Sequence, residues 1–183
     1  MKIAQLHLVA ATPETVAPYG SLIDVPAQGG ALPVAFYEDS VRVYKPVNFI
    51  SDEDTEITLA SIDRRPMKVI WLERHFKHTQ SFIPLSGRPF VIVMAPPTKG
   101  ELPDINTAQA LLFDGSAGFM MHIGTWHEFP FALVDDTRLI VLLRGEATKA
   151  LMKGVATDGE AHSGDLDKKN IAARLGVSIE VGL

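Results

Sequence analysis

The sequence predicts a mainly β protein, a sandwich or barrel, on two observations. Short apolar, β-rich runs recur between turn signals from residue 36 to residue 143, and many short strands at near-regular spacing mark that architecture. Helical patterns are brief and peripheral. A third observation places the chemistry. Four of the six histidines fall in two segments about fifty positions apart, Glu73-Arg74-His75-Phe76-Lys77-His78-Thr79-Gln80 and His122-Ile123-Gly124-Thr125-Trp126-His127. Both sit among strand-like runs, so the pair reads as one small-molecule site assembled from two hairpins.

Taken in order, Met1 to Gln5 lead into mixed sequence without an apolar export segment. Thr12-Pro13-Glu14-Thr15 offers an N-cap followed by Pro at the first helical position, and Pro18 and Tyr19-Gly20 keep that helix short. Residues from Pro26 to Pro33 read as a loop. Phe36-Tyr37, Val41 to Tyr44, Ile57 to Ile62 and Val69 to Leu72 read as strands, the last running into the first His segment. Ser81 to Leu85, Phe90 to Ala95, Ala108 to Phe113, Gly118 to His122, Phe129 to Val134 and Leu139 to Leu143 follow. Residues 146–164, polar and Gly-bearing, read as a mobile connection. Asp165 to Leu175 reads as a short helix stopped by Gly176, and Val177 to Val181 as an edge strand or a segment docked on a neighbouring subunit. The division expected is a catalytic domain over 1–145 and a C-terminal tail over 146–183.

Composition narrows the partners. A chain of 183 residues with 46% hydrophobic and 21% charged residues suits one soluble domain. A net charge of −5 without a basic cluster argues against nucleic acid and anionic membrane. The absence of cysteine excludes disulfides and thiolate ligands. No apolar run is long enough to span a bilayer, and a cytoplasmic address is expected.

Glu73 and His75, two apart on a strand, point to the same face. A carboxylate and an imidazole can thus converge on one ligand or metal. Gln80 adds a neutral amide. His122 and His127 flank Gly124 and Thr125, a turn that brings both rings towards a common opening. Imidazole and carboxylate sets suit divalent metals, and catalytic sites leave one position open. Arg64 and Arg74 can grip an anionic substrate through the guanidinium fork; Lys45 reads as an exposed lysine. Trp126 and Phe129 read as barrel core, His7 and His162 as surface residues. His78 lies off the Glu73/His75 face if the strand stays regular. No phosphate-binding Gly loop or nucleophile elbow is present.

The two segments resemble the paired motifs of the cupin superfamily. Glu73 and His75 stand at the two His positions of the first motif, Gln80 at its Glu and Gly87 at its Gly. His122 stands at the Pro of the second, Gly124 at its Gly and His127 at its metal-binding His. Only His75 and His127 keep the metal-binding identity, which implies weak or dispensable metal binding.

A closer resemblance is to the ureidoglycolate lyase family. It is carried by Glu73-Arg74-His75, Thr79 to Pro84, His122 to His127 with Trp126, Pro18 to Ile23 and Ile62-Asp63-Arg64, and runs to Gly145. It implies a cupin-like double-stranded β-helix barrel with a few short peripheral helices. The implied reaction is cleavage of (S)-ureidoglycolate to glyoxylate and urea in allantoin and purine degradation. The roles expected on that basis give His75 and His127, with Gln80 and Glu73, a divalent metal (Ni, Mn or Zn) or the substrate oxygens. His122 or Glu73 moves the proton, with His127 in the catalytic set. Arg64 or Arg74 holds the carboxylate, with Gln80 and Trp126 also lining the substrate site. A homodimer is expected. The alternatives are another cupin enzyme acting on a small hydroxy- or keto-acid, and a non-catalytic barrel that binds a small carboxylate.

Overall fold

The computed structural model describes residues 1–32, 37, 40–52, 54–155 and 158–182. Five strands, β2 (Gly20–Ile23), β3 (Thr55–Ile62), β6 (Ser81–Pro84), β9 (Gly118–Met121) and β12 (Thr137–Arg144), form a sheet in the order β2-β9-β6-β12-β3. The larger sheet contains β1 (Lys2–Ala10), β4 (Lys68–Val69), β5 (Trp71–His75), β7 (Phe90–Ala95), β8 (Gln109–Phe113) and β10 (Trp126–His127). It is completed by β11 (Phe131–Ala132), β13 (Ala161–His162), β14 (Leu166–Asn170) and β15 (Val177–Gly182). Its order is β13-β14-β5-β10-β7-β8-β1-β15-β4, with β11 also on β7. Among the described residues three short α-helices lie outside the sheets, α1 (Pro13–Val16), α2 (Gly145–Val155) and α3 (Ile171–Leu175), with one 3-10 turn at Ile105–Thr107. The result is the mainly β, cupin-like barrel expected.

Alternation along the strands divides the apolar residues into two layers. Phe90, Ile92 and Met94 of β7 join Phe82, Leu111, Phe119, Met121 and Leu139 in the core between the sheets. Val91, Val93 and Ala95, the intervening residues, join Leu72, Trp126, Phe131 and Ile179 on the other side of the larger sheet. Both faces of β7 are covered, so it is a continuous apolar run without polar alternation. Full burial of one such side chain contributes about 1.5–3 kcal/mol.

Several elements differ from the sequence expectation. The opening residues form β1, which pairs in parallel with β8 and with β15; parallel partners more than a hundred residues away leave no local signal. Val41 to Tyr44 do not form a strand. Val41 and Val43 are exposed and Tyr44 makes only an isolated bridge to Ala31, so β propensity there lacks a sheet to pair with. Phe36 lies outside the described residues. The polar stretch expected to be a mobile connection is largely α2 and β13. The helix expected over Asp165 to Leu175 is half strand: β14 pairs with β5, and the helix begins only at Ile171, where Asn170 caps Ala173 N at 2.9 Å. Gly176 ends it as expected, in the left-handed conformation at φ 66. Finally, β15 is no edge strand, because β1 and β4 flank it.

Candidate active site

Strand β5 sets the site. Leu72 packs in the outer layer, so Glu73 and His75 face the barrel interior. Across the ladder His127 pairs with Glu73 on one side and with Met94, an interior residue, on the other. One ligand-type atom from each of Glu73, His75 and His127 lies within 4.8 Å of the others, and all three residues are buried. Glu73 Oε1 is 3.5 Å from His127 Nε2 and 4.0 Å from His75 Nε2. Gln80 is buried too, with its Oε1 unpartnered.

The protonation pattern follows from the partners. His127 Nδ1 lies 3.2 Å from the Thr125 carbonyl, which can only accept, so Nδ1 carries the proton. Nε2 then faces a Glu73 carboxylate oxygen at 3.5 Å. Among the described residues neither nitrogen of His75 has a hydrogen-bond partner. Burial first, and then the neighbouring His127, hold the His75 pKa well below that of a free imidazole. Burial works to raise the Glu73 carboxyl, but His127 beside it, then His75 and Lys168, outweigh burial and lower its pKa. Ligand-type atoms of three buried groups thus converge. Donors about 2.0–2.2 Å from one ion stand roughly 3–4 Å apart, so this set fits a divalent cation, or the polar hydrogens of a ligand.

Glu73 and His127 open onto a cavity of about 300 Å³ whose other walls are Trp71, Glu128, Phe129, Leu151 and Lys168. Burial and the charge of Glu73 push the Glu128 carboxyl up to about 7 although Arg65, 3.5 Å away, draws it down.

Beside the cluster, His78 Nδ1 lies 2.9 Å from Asp165 Oδ2, both side chains fully buried. The His78 ring is tilted against His75 with centroids 4.5 Å apart, and its Nε2 has no hydrogen-bond partner among the described residues. Asp165 also accepts from the backbone N–H of Phe76 and Lys77.

Of the residues expected at the site, the fold brings Glu73, His75 and His127 together, and Gln80 is buried. The others lie elsewhere. Arg74 and Trp126 occupy the alternate, even-numbered positions of the same ladders and therefore point to the outer layer. There Arg74 pairs with Asp167 at 3.3 Å and stacks over Trp126 at 4.3 Å. Arg64 is exposed and tied to Asp135. His122 is exposed on the turn after β9 and borders a separate cavity with Val16, Leu22 and Pro46. Sequence reasoning left His78 undecided and missed Asp165, Glu128 and Lys168. Leu166-Asp167-Lys168-Lys169-Asn170 is too polar to announce a strand, and only its pairing with β5 aims it at the site.

Curled sheets around a buried His/Glu centre make this a cupin-like β-barrel. The chain belongs to the ureidoglycolate lyase family, whose model matches residues 3–161. It is 31% identical over 128 residues to the ureidoglycolate lyase of Pseudomonas aeruginosa, covering 67% of this chain and 73% of that protein. It is 33% identical over 110 residues to the Escherichia coli ureidoglycolate lyase, covering 57% and 68%. With the Azotobacter vinelandii ureidoglycolate lyase the identity is 39% over 82 residues, 45% of this chain and about half (48%) of the relative.

Proposed function

We propose that the protein is a lyase that cleaves ureidoglycolate into glyoxylate and urea. The observation that supports this most strongly is the buried convergence of Glu73, His75 and His127 at a cavity sized for a small molecule. One carbon of the substrate bears a hydroxyl, a carboxylate and the ureido nitrogen. Loss of the hydroxyl proton lets C=O form while the C–N bonding pair leaves onto nitrogen, which takes up a proton. No water is consumed. The step needs a proton acceptor and a proton donor. Glu73 is the ionised acceptor of the cluster, and Glu128, on the same cavity wall, is a carboxyl able to donate. His75, His127 and Glu73, with Gln80, would hold a divalent cation (Ni, Mn or Zn). Such a cation, when bound, favours loss of the hydroxyl proton and orients the substrate.

The same reading includes a homodimer in the cytoplasm and a catalytic unit over 1–145. It is consistent with the exposed Ile57 and Leu59 on the edge strand β3 and with the lack, among the described residues, of any helix long and apolar enough to cross a membrane. β14 and β15, from the segment after that unit, pair with its strands β5, β1 and β4.

The test is glyoxylate release from racemic ureidoglycolate, with the spontaneous rate subtracted, on protein as purified and after chelation. Release well above the blank that stops at half the substrate is expected, and chelation should slow it. A folded, metal-restored sample no faster than the blank would overturn the reading.

A further inference from the structure

The substrate proposed above carries a carboxylate, yet both arginines that the sequence offers for it are committed elsewhere. Arg64 is a surface residue paired with Asp135, and Arg74 faces the outer layer, held by Asp167 and by the Thr98 carbonyl. The cavity that Glu73 and His127 line contains one Lys or Arg among the described residues, Lys168. Register places Lys168 directly opposite Glu73 on the β14–β5 ladder, so alternation aims both into the same space. Its Nζ stands 5.4 Å from the centre of the Trp71 ring, another wall of the cavity. The neighbouring Lys169 pairs with Asp167 at 2.9 Å, whereas Lys168 closes no ion pair within 4 Å among the described residues.

We propose that Lys168 binds the substrate carboxylate, a role that rests on the lyase reading. The assignment answers an electrostatic problem of the cavity. The Glu73 carboxylate lines this cavity, so an anionic substrate meets like charge unless a cation stands with it. A lysine ammonium, half-buried over an indole face, supplies that charge and three donors. It reaches the site only because β13 and β14 fold back onto β5. Residue 168 lies beyond the family match, which ends at residue 161. A segment outside that match thus completes the site.

The experiment compares wild type, Lys168→Gln and Lys168→Arg on two ligands related by the carboxylate alone. Ureidoglycolate carries it, and N-(hydroxymethyl)urea is the same carbinolamide without it. Urea release gives kcat and KM, and inhibition by the product glyoxylate gives a second measure of carboxylate binding. Loss of one charge-assisted contact corresponds to a KM rise of roughly 10–100-fold. Lys168→Gln should show this for ureidoglycolate with kcat little changed, and glyoxylate inhibition should weaken by the same factor. N-(hydroxymethyl)urea, as substrate or competitive inhibitor, should keep its constant, and Lys168→Arg should recover much of the loss. Unchanged ureidoglycolate and glyoxylate constants in Lys168→Gln, or equal loss for both ligands, would overturn the proposal while leaving the lyase standing. Wild type without activity above the blank overturns the lyase reading instead, and the role of Lys168 falls with it.

Discussion

Replacing Asp165 by Ala should lower the stability of the whole barrel by about 3–5 kcal/mol. Its carboxylate is fully buried and serves four groups at once. Oδ1 accepts from Lys77 N at 2.7 Å and Phe76 N at 3.2 Å, while Oδ2 lies 2.9 Å from His78 Nδ1 and 3.4 Å from an Arg144 guanidinium nitrogen. Alanine leaves the His78 donor and the Lys77 N–H without acceptors in a site closed to water, while the Phe76 N–H keeps the backbone carbonyl of residue 165 at 3.0 Å, and each orphaned donor costs about 1–3 kcal/mol. Relaxation and water penetration bring the sum back towards the range for a broken buried pair. In a chain of this size each kcal/mol shifts the midpoint by roughly 2–4 °C, so a fall on the order of 10 °C is expected. Urea titration followed by tryptophan fluorescence measures the free energy, and a thermal melt measures the shift. Asp165→Asn, which keeps the shape and one acceptor oxygen, should lie between wild type and alanine. A loss below about 1 kcal/mol in Asp165→Ala with an unchanged m-value would refute the reasoning, because the four contacts would then be worth no more than an exposed pair.

Other consequences follow from the same geometry. His127→Ala should reduce turnover by at least about 100-fold and leave the β circular dichroism intact, whereas His122→Ala, at a separate cavity, should leave kcat and KM near wild type. Similar losses in the two variants would show that the site is not the one described. Acid should weaken the attachment of α3. Glu160, hydrogen-bonded by Arg174 and by Asn170 N, has its pKa lowered from 4.5 to about 2 in the folded chain. The stability it contributes is therefore present above pH 4.5 and lost as the pH falls from there towards 2. Unfolding at pH 6 and pH 3 should show a smaller difference in Glu160→Gln than in wild type; an equal difference would remove Glu160 from the account.

Much was legible in the sequence wherever local chemistry is decisive. The run Phe90 to Ala95 is a strand with those bounds, since an uninterrupted apolar run fits a strand covered on both faces. The short helix at Pro13 follows from its Thr12 cap and Pro, and the helix stop at Gly176 from the left-handed conformation glycine readily adopts. Period-two spacing put Glu73 and His75 on one face. The same rule, applied to residue 74, excludes Arg74 from that face, and an arginine beside a histidine in the sequence is a poor guide to proximity on a strand.

By itself, then, the sequence determined a mainly β architecture and the Glu73, His75 and His127 centre, because strand alternation and residue type are local properties. Tertiary structure alone decided which other groups reach that centre. Ladder pairing brings Asp165 to His78 and Lys168 to Glu73 across about ninety residues of chain, and it seats His122 at a different cavity although it stands five residues from His127. Long-range register depends on how two sheets close over a shared core, and no spacing within a single strand encodes it.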